Sequence, residues 1–335
     1  MTEPQAMTAG TGAIAVVTPV LNDWAALERL IAELDRLPAL AGRRLVIFAV
    51  DDGSYPPPNL EALASAASAG LGAVTGVKVI QLSANLGHQR AIAAALVELS
   101  DHPGFDSVLV MDADGEDRPE DVAALLAAAD GQAIVLALRS RRSEGFGFRV
   151  GYGVYRVLFR SLTGNSIQFG NFCLIPFGFL EALTHSPATW NNLAAAIMRS
   201  RLPTVSVPTA RGARYAGRSR MNFSALAVHG LSAISVYIDV MLVRIIGAAF
   251  AASALVFGAL VVVVCLKLFT RLAVPGWASF MGVSLLVLLF QTLMFASIAL
   301  FQFLSFRSMP TVVPATHAPQ LIARVIDADR ATIPT

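Results

Sequence analysis

Along the first 140 residues, short apolar runs alternate with amphipathic ones. Ala13–Thr18, Arg44–Val50, Val77–Leu82, Val108–Met111 and Ala133–Leu138 are short and mostly aliphatic, which predicts buried strands. Helices are expected between them over Trp24–Arg36, Asn59–Ser68, an Ala-rich stretch ending near Leu99, and Pro119–Ala129. Asn22 or Asp23 is placed to cap the first, and Tyr55-Pro56-Pro57-Pro58 excludes regular structure before the second. Strands alternating with helices predict an α/β domain with a parallel, doubly wound sheet and its strand-end loops on one edge. A further helix is expected near residues 150–162, mixed with Phe146, Phe148, Tyr152 and Tyr155.

The pattern changes after about residue 223. Ser224–Val243 reads as a mostly apolar helix, interrupted by His229 and Asp239, that lies at a membrane interface. Ile245–Leu266 is an uncharged run of 22 residues, enough to span about 30 Å of hydrocarbon. Lys267–Gly276 is a polar hairpin, and Trp277–Phe306 spans again with Trp277 as an interfacial anchor. Ser308–Thr335 carries Pro310, Pro314, Pro319 and Pro334 and is expected to be a loose tail, in which Leu321–Ile326 could dock as a short helix.

Composition supports this division. The 335 residues are 55% hydrophobic and only 14% charged, against about 25% charged in soluble domains. Mean hydropathy is +0.62. The expected segments are a tail over 1–12, a catalytic domain over 13–222, a juxtamembrane helix over 223–243, a transmembrane hairpin over 244–306 and a cytoplasmic tail over 307–335. A net charge of +2 gives no case for nucleic acid. Lysine occurs only at 78 and 267, while arginines cluster at 139–160 and 199–220. The N-terminus lacks the basic and apolar regions of a signal peptide. Two cysteines, Cys173 and Cys265, make no disulfide framework and fit reduced thiols facing the cytosol.

The chemistry concentrates in Val108–Asp121, VLVMDADGEDRPED. A strand ending in Asp112, Asp114, Glu116 and Asp117 puts carboxylates at the carboxyl edge of the sheet, where open α/β folds bind ligands. Carboxylates so close together suit a hard cation, Mg²⁺ or Mn²⁺, that completes its shell with substrate phosphates. The competing reading is an acidic turn, with Asp117 as helix cap and Pro119-Glu120-Asp121 as first turn. No G-x-G-x-x-G follows the first strand and no G-x-x-x-x-G-K-[ST] occurs, which removes the main support for dinucleotide and P-loop readings.

Four segments together resemble the family 2, GT-A fold, inverting glycosyltransferases, in particular the polyprenyl-phosphate glycosyltransferases that include dolichol-phosphate mannose synthase. The family's P-x-Y-N-E appears as Pro19-Val20-Leu21-Asn22-Asp23, and V-D-D-G-S is intact at Val50–Ser54. N-x-G-x-x-x-A is intact at Asn85, Gly87 and Ala91, and D-A-D-x-Q appears as Asp112, Ala113, Asp114 and Glu116. The Asn85–His88 turn equally suits an ordinary strand–helix connection. The resemblance implies a Rossmann-like, mostly parallel GT-A domain followed by an interfacial helix and two transmembrane helices.

The resemblance also implies roles. Pro19, Leu21, Asp23, Asp51, Asp52, Asp112 and Ala113 would border the nucleotide, with Asp51 or Asp52 accepting from base or ribose. Asp112, Asp114 and Glu116 would hold the metal, and Arg139 would approach the diphosphate. Arg211–Met221 resembles R-x-x-G-x-S-K-Y, so Arg214, Ser219 and Arg220 would hold an acceptor phosphate. A positive-inside flank would produce a similar run. Gly170–Leu174 matches a family G-D-F-R-L whose aspartate faces the reacting sugar, but here carries Asn171 and Cys173. An amide is no general base. A phosphate monoester, with a second pKa of about 6, needs none.

The expected function is therefore metal-dependent, inverting hexosyl transfer, with Asp114, Asn171 and Arg139 at the reaction centre. The donor is a UDP- or GDP-sugar and the acceptor is undecaprenyl or dolichyl phosphate. The expected location is the cytoplasmic membrane, with the catalytic domain inside because arginines flank that side. The family also allows a homo-oligomer. A processive polysaccharide synthase is disfavoured because no Q-x-x-R-W segment occurs. The rival of another class is a catalytically impaired nucleotide-binding membrane scaffold, supported by Asn171 and Cys173 and opposed by intact Asp112 and Asp114.

Overall fold

A computed structural model describes residues 12–68, 72–139, 146–165, 169–215, 230–270 and 276–329. Expectations for the tail before Gly12, for Ser219 and Arg220, and for 224–229 lie outside them. The chain divides into two compact units. One holds residues 1–149, 167–236 and 312–335, the other 150–166 and 237–311.

In the first unit, β1 (Ala13–Val20), β2 (Arg44–Asp51), β3 (Val74–Leu82), β4 (Ser107–Val110), β5 (Ile134–Arg139), β6 (Phe169–Pro176), β7 (Thr204–Thr209) and β8 (Ile322–Asp327) form one sheet. Their order is β7-β5-β6-β4-β1-β2-β3-β8. β6 runs against β4 and β5, and β8 runs against β3; the other pairings are parallel. The expected mostly parallel sheet is present.

Alternation along the strands feeds two cores. Ile14, Val16, Ile47, Val79 and Leu109 join α1 (Trp24–Asp35), α2 (Leu60–Ala67) and α4 (Asp121–Ala127) on one face. Ala15, Val17, Phe48, Ile80 and Val110 join α3 (His88–Ser100) on the other. There α6 (Leu180–Thr184), α7 (Pro187–Asn191) and α8 (Leu193–Ser200) back α3, whose Ala91, Ala93, Ala94 and Ala95 are fully buried. Small side chains let this helix be covered on both sides, so its alanines are packing residues.

The topology decides which loops meet. β1 is flanked by β2 on one side and β4 on the other, so chain order reverses there, and ligands bind beyond the carboxyl ends at such a point. The loops after β1, β2, β3 and β4 therefore share one edge. Because β6 is antiparallel, with Cys173 opposite Val110, its start brings Asn171 to that same edge.

Three expectations change. Neither Asn22 nor Asp23 caps α1 through its side chain. Asn22 has φ 56° and its Oδ1 accepts from the Tyr55 N–H at 2.6 Å, so its amide joins two loops instead. Residues 322–327 are neither loose nor helical. β3 presents unpaired backbone groups along its outer edge, and β8 satisfies them, with Ile326 packed on the core and Ala328 fully buried. The break expected at 243–244 falls inside one continuous helix that begins at Ile238.

In the second unit, helices Ile238–Phe269 and Trp277–Ser308 have 32 residues each and are almost wholly apolar. Most of their side chains are not covered by protein, and Phe280, Phe290 and Phe301 stand exposed. Both are long and apolar enough to cross a membrane. The Ser253 hydroxyl donates to Thr292 Oγ1 at 2.8 Å between them, a polar tie on apolar helices. The helix α5 (Phe146–Thr163) contributes residues 150–163 to this unit rather than to the sheet. There Phe159 packs edge-on to Tyr237, and Arg244 donates to the Ser161 carbonyl at 2.8 Å.

Candidate active site

Two acidic loops and one amide-rich helix start converge on the shared edge. At the end of β2, Asp51 and Asp52 are 3% and 4% exposed. Asp52 accepts from the N–H groups of Leu86 and Gly87 at 2.6 and 3.0 Å, so it clamps the β3–α3 turn. Burial raises its pKa against the pull of those two bonds. Asp51 accepts from the Ser54 N–H at 2.8 Å and from Gln81 Nε2 at 3.2 Å. A carboxylate oxygen accepts two bonds, so Asp51 keeps capacity for a further donor. Gly53, at φ +86°, lets this turn pass Asn85.

The loop after β1 is tied to the same turn. The Asn22 N–H donates to Ser54 Oγ at 2.9 Å and Trp24 Nε1 to the Pro56 carbonyl at 3.2 Å. Leu21 is 38% exposed beside them, Pro19 and Asp23 are half-buried, and Ala113 is a core residue.

The loop after β4 is finished differently. Its own backbone supplies two bonds, from the Asp112 N–H to Asp117 Oδ2 at 3.0 Å and from the Glu116 N–H to Asp114 Oδ1 at 2.9 Å. Asp117 thus holds this loop and does not cap α4. Further support comes from residues 211–215, about a hundred positions later. Gly212 N–H donates to the Glu116 carbonyl and Tyr215 N–H to the Asp114 carbonyl, both at 2.9 Å. Arg214 grips Asp114 Oδ2 through Nη2 at 2.6 Å and Nε at 3.0 Å, and Arg211 meets Glu116 Oε2 at 2.8 Å. Burial opposes the Arg214 charge, but Asp114, Glu116 and Asp23 outweigh it and raise its pKa.

This strap needs its glycines. A Cβ on Gly212 would sit 2.1 Å from the Gly115 carbonyl oxygen, and one on Gly115, at φ +85°, would meet the Tyr215 ring at 2.8 Å. Tyr215 is anchored by its hydroxyl donating to Glu33 Oε2 at 2.5 Å and by Arg29 stacked 4.3 Å over its ring. Arg214, expected on an acceptor phosphate, is thus engaged with the acidic loop. Arg139 ends β5 beside Thr209.

Among the described residues, no three His, Cys, Asp or Glu side chains converge as a metal-ligating group, so Asp112, Asp114 and Glu116 are not assembled as one triad. The donor set still fits Mg²⁺ or Mn²⁺, which commonly take one or two carboxylates and complete their shell from phosphates and water.

Asn171 sits in a directional chain that the sequence did not reveal. The Leu193 N–H donates to Gln89 Oε1 at 2.9 Å, Gln89 Nε2 to Asn171 Oδ1 at 3.2 Å, and Asn171 Nδ2 to His88 Nε2 at 3.0 Å. Gln89 has only its amide N–H left to give, so Asn171 must turn its own NH₂ toward His88. Desolvation lowers the His88 pKa, opposed by Asp117, Asp114 and Asp52. A neutral ring accepts at Nε2, and Asp112 Oδ1 lies 3.4 Å from that atom. The signal was present in Asn85–Ala91, where His88 and Gln89 occupy variable places of the motif. Cys173 lies in the core, and burial pushes its thiol pKa up.

The sequence pattern described as Glycosyl transferase family 2 matches residues 15–181, which run from β1 through the start of α6. Residues 15–181 are a glycosyltransferase family 2 domain. Among the curated relatives of this glycosyltransferase are two named undecaprenyl-phosphate 4-deoxy-4-formamido-L-arabinose transferase. That of Klebsiella pneumoniae subsp. pneumoniae is 28% identical over 276 residues, 79% of each chain. That of Klebsiella pneumoniae strain 342 is 27% identical over the same shares. A solved structure of glucosyl-3-phosphoglycerate synthase from Mycobacterium tuberculosis, with Mn²⁺, UDP and glucosyl-3-phosphoglycerate, aligns at TM-score 0.44 and 21% identity. It covers 69% of this chain and 79% of that one.

Proposed function

We propose that this glycosyltransferase moves a sugar from a UDP- or GDP-sugar to a polyprenyl phosphate, with inversion, at the cytoplasmic face of a membrane. The observation that carries the reading is the shared sheet edge. A buried Asp51 with accepting capacity ends β2, and partly exposed Asp112, Asp114 and Glu116 stand two strands away after β4. The first suits base or ribose donors, the second a cation on a diphosphate. The relatives' names support undecaprenyl phosphate as acceptor, and the two apolar helices support a membrane location.

In this reading one or two carboxylates among Asp112, Asp114 and Glu116 would hold Mg²⁺ or Mn²⁺, which when bound would neutralise charge on the departing nucleoside diphosphate. Arg139, Ser219 and Arg220 retain their proposed places on the diphosphate and acceptor phosphate. Asn171 donates to His88 and takes no proton, which agrees with an acceptor that is already anionic. Its phosphate oxygen attacks the anomeric carbon as the bond to the diphosphate breaks.

The test uses purified full-length protein in detergent, undecaprenyl phosphate, Mg²⁺ or Mn²⁺, and radiolabelled UDP- and GDP-sugars. Label should enter the organic phase from one donor class and stop with EDTA. Asn171→Asp should bring no gain in rate. Donor turnover without lipid labelling would overturn the acceptor.

A further inference from the structure

Asp51, Gln81 and Arg324 occupy one cross-strand row. Asp51 is the last residue of β2 and pairs in register with Gln81 on β3, which pairs with Arg324 on β8. Their side chains are joined as well. Arg324 Nε donates to Gln81 Oε1 at 2.5 Å, and Gln81 Nε2 donates to Asp51 Oδ2 at 3.2 Å. The chemistry permits one direction only. Arginine has no acceptor and a carboxylate no donor, so an amide between them must turn its oxygen to the arginine and its NH₂ to the aspartate. Arg324 thereby fixes which way the Gln81 amide faces, and Gln81 fixes the rotation of the Asp51 carboxylate about its bond to the backbone.

We propose that Gln81 and Arg324 are positioning residues for nucleoside recognition, and that β8 is the element that delivers this function to the site. The inference rests on the reading of Asp51 as the nucleoside-facing carboxylate. A direct arginine–aspartate pair would occupy the carboxylate bidentately. The interposed amide instead uses one acceptor position on Oδ2, the Ser54 N–H uses one on Oδ1, and each oxygen keeps a second position for the ligand. The strand containing Arg324 follows the second apolar helix by fewer than twenty residues, so the chain beyond the membrane segment returns to complete the nucleotide edge.

The test measures UDP and GDP affinity by calorimetry, and pyrophosphate competition, on the full-length protein in detergent with Mg²⁺. Arg324→Ala should weaken the better nucleotide roughly fivefold, the worth of one net hydrogen bond, and Gln81→Leu by at least as much. Arg324→Lys should recover part of the loss. Pyrophosphate competition should be unchanged in all three, because the row touches only the nucleoside side. Val325→Thr, on the same strand, should bind as the wild type does and so separates loss of the row from loss of the strand. Equal nucleotide affinity in wild type, Arg324→Ala and Gln81→Leu would overturn the inference. Parallel loss of nucleotide and pyrophosphate would also overturn it, since that is the mark of a general collapse of the edge. A wild-type protein that binds neither nucleotide would instead sink the reading on which the inference rests.

Discussion

The acidic loops after β2 and β4 use the same residue types at the same edge of the sheet, yet they are stabilised in opposite ways. Asp51 and Asp52 are almost wholly buried and are satisfied by neighbours from adjacent strands and their turns. Asp114 and Glu116 are 15% and 17% exposed at their side chains and face arginines from a distant strap. Buried carboxylates held by backbone N–H groups are fixed and cannot be exchanged cheaply. The partly exposed Arg211–Glu116 pair is weak and can change partners, and the two-pronged Arg214–Asp114 pair can yield only to a ligand of comparable charge. The contrast suits the proposed nucleoside wall beside a loop proposed to take a charged ligand.

The largest expected effect lies on the exchangeable side. Asp114→Asn should lower transfer by at least about 100-fold, the upper range for losing even an indirect support of a metal site. Steady-state transfer into lipid measures it, and near-normal turnover would erase the distinction between the loops. Gly212→Ala should come next, because its methyl group meets a backbone carbonyl and not a movable side chain. We expect a cost of about 1–3 kcal/mol, typical of overpacking. Hydrogen exchange at the Gly212 and Tyr215 amides should change from protected to fast.

On the rigid side, Asp52→Asn should destabilise the fold by about 1–3 kcal/mol at neutral pH, because one of two backbone donors loses its acceptor. Its pH dependence carries a sign. Burial raises Asp52 in the folded state, so the folded protein binds this proton more tightly than the unfolded chain. That contribution is complete below the ordinary carboxylate pKa and is lost as pH rises through the folded-state value. Thermal unfolding of wild type minus variant should therefore favour the wild type increasingly on acidification. The smallest effect belongs to Arg211→Ala, whose pair with Glu116 is partly exposed and worth about 0.2–1 kcal/mol. A larger loss in unfolding experiments would mean that the strap is not held chiefly by Gly212, Tyr215 and Arg214.

Much of this was readable in advance because it is local. The strands β1, β2 and β5 lie within two residues of their apolar runs, and the motifs at Val50–Ser54 and Asp112–Glu116 do fall at strand ends. What could not be read depends on partners far away in the chain. β8 is a strand only because β3, some 240 residues earlier, offers an open edge, while the flanking Pro314 and Pro319 and its own Arg324 and Asp327 argue for a tail. The pairing of Arg214 with Asp114 and the orientation of Asn171 by Gln89 are likewise set by the fold, not by spacing.

The most direct test of the two-loop account is nucleoside diphosphate binding to the full-length protein across a Mg²⁺ or Mn²⁺ titration, in wild type, Asp114→Asn and Asp51→Asn. The account predicts that Asp114→Asn removes the metal-dependent gain in affinity and keeps the metal-free remainder. Asp51→Asn should weaken binding with and without metal alike. An Asp114→Asn protein whose affinity still rises with metal as in the wild type would contradict the account.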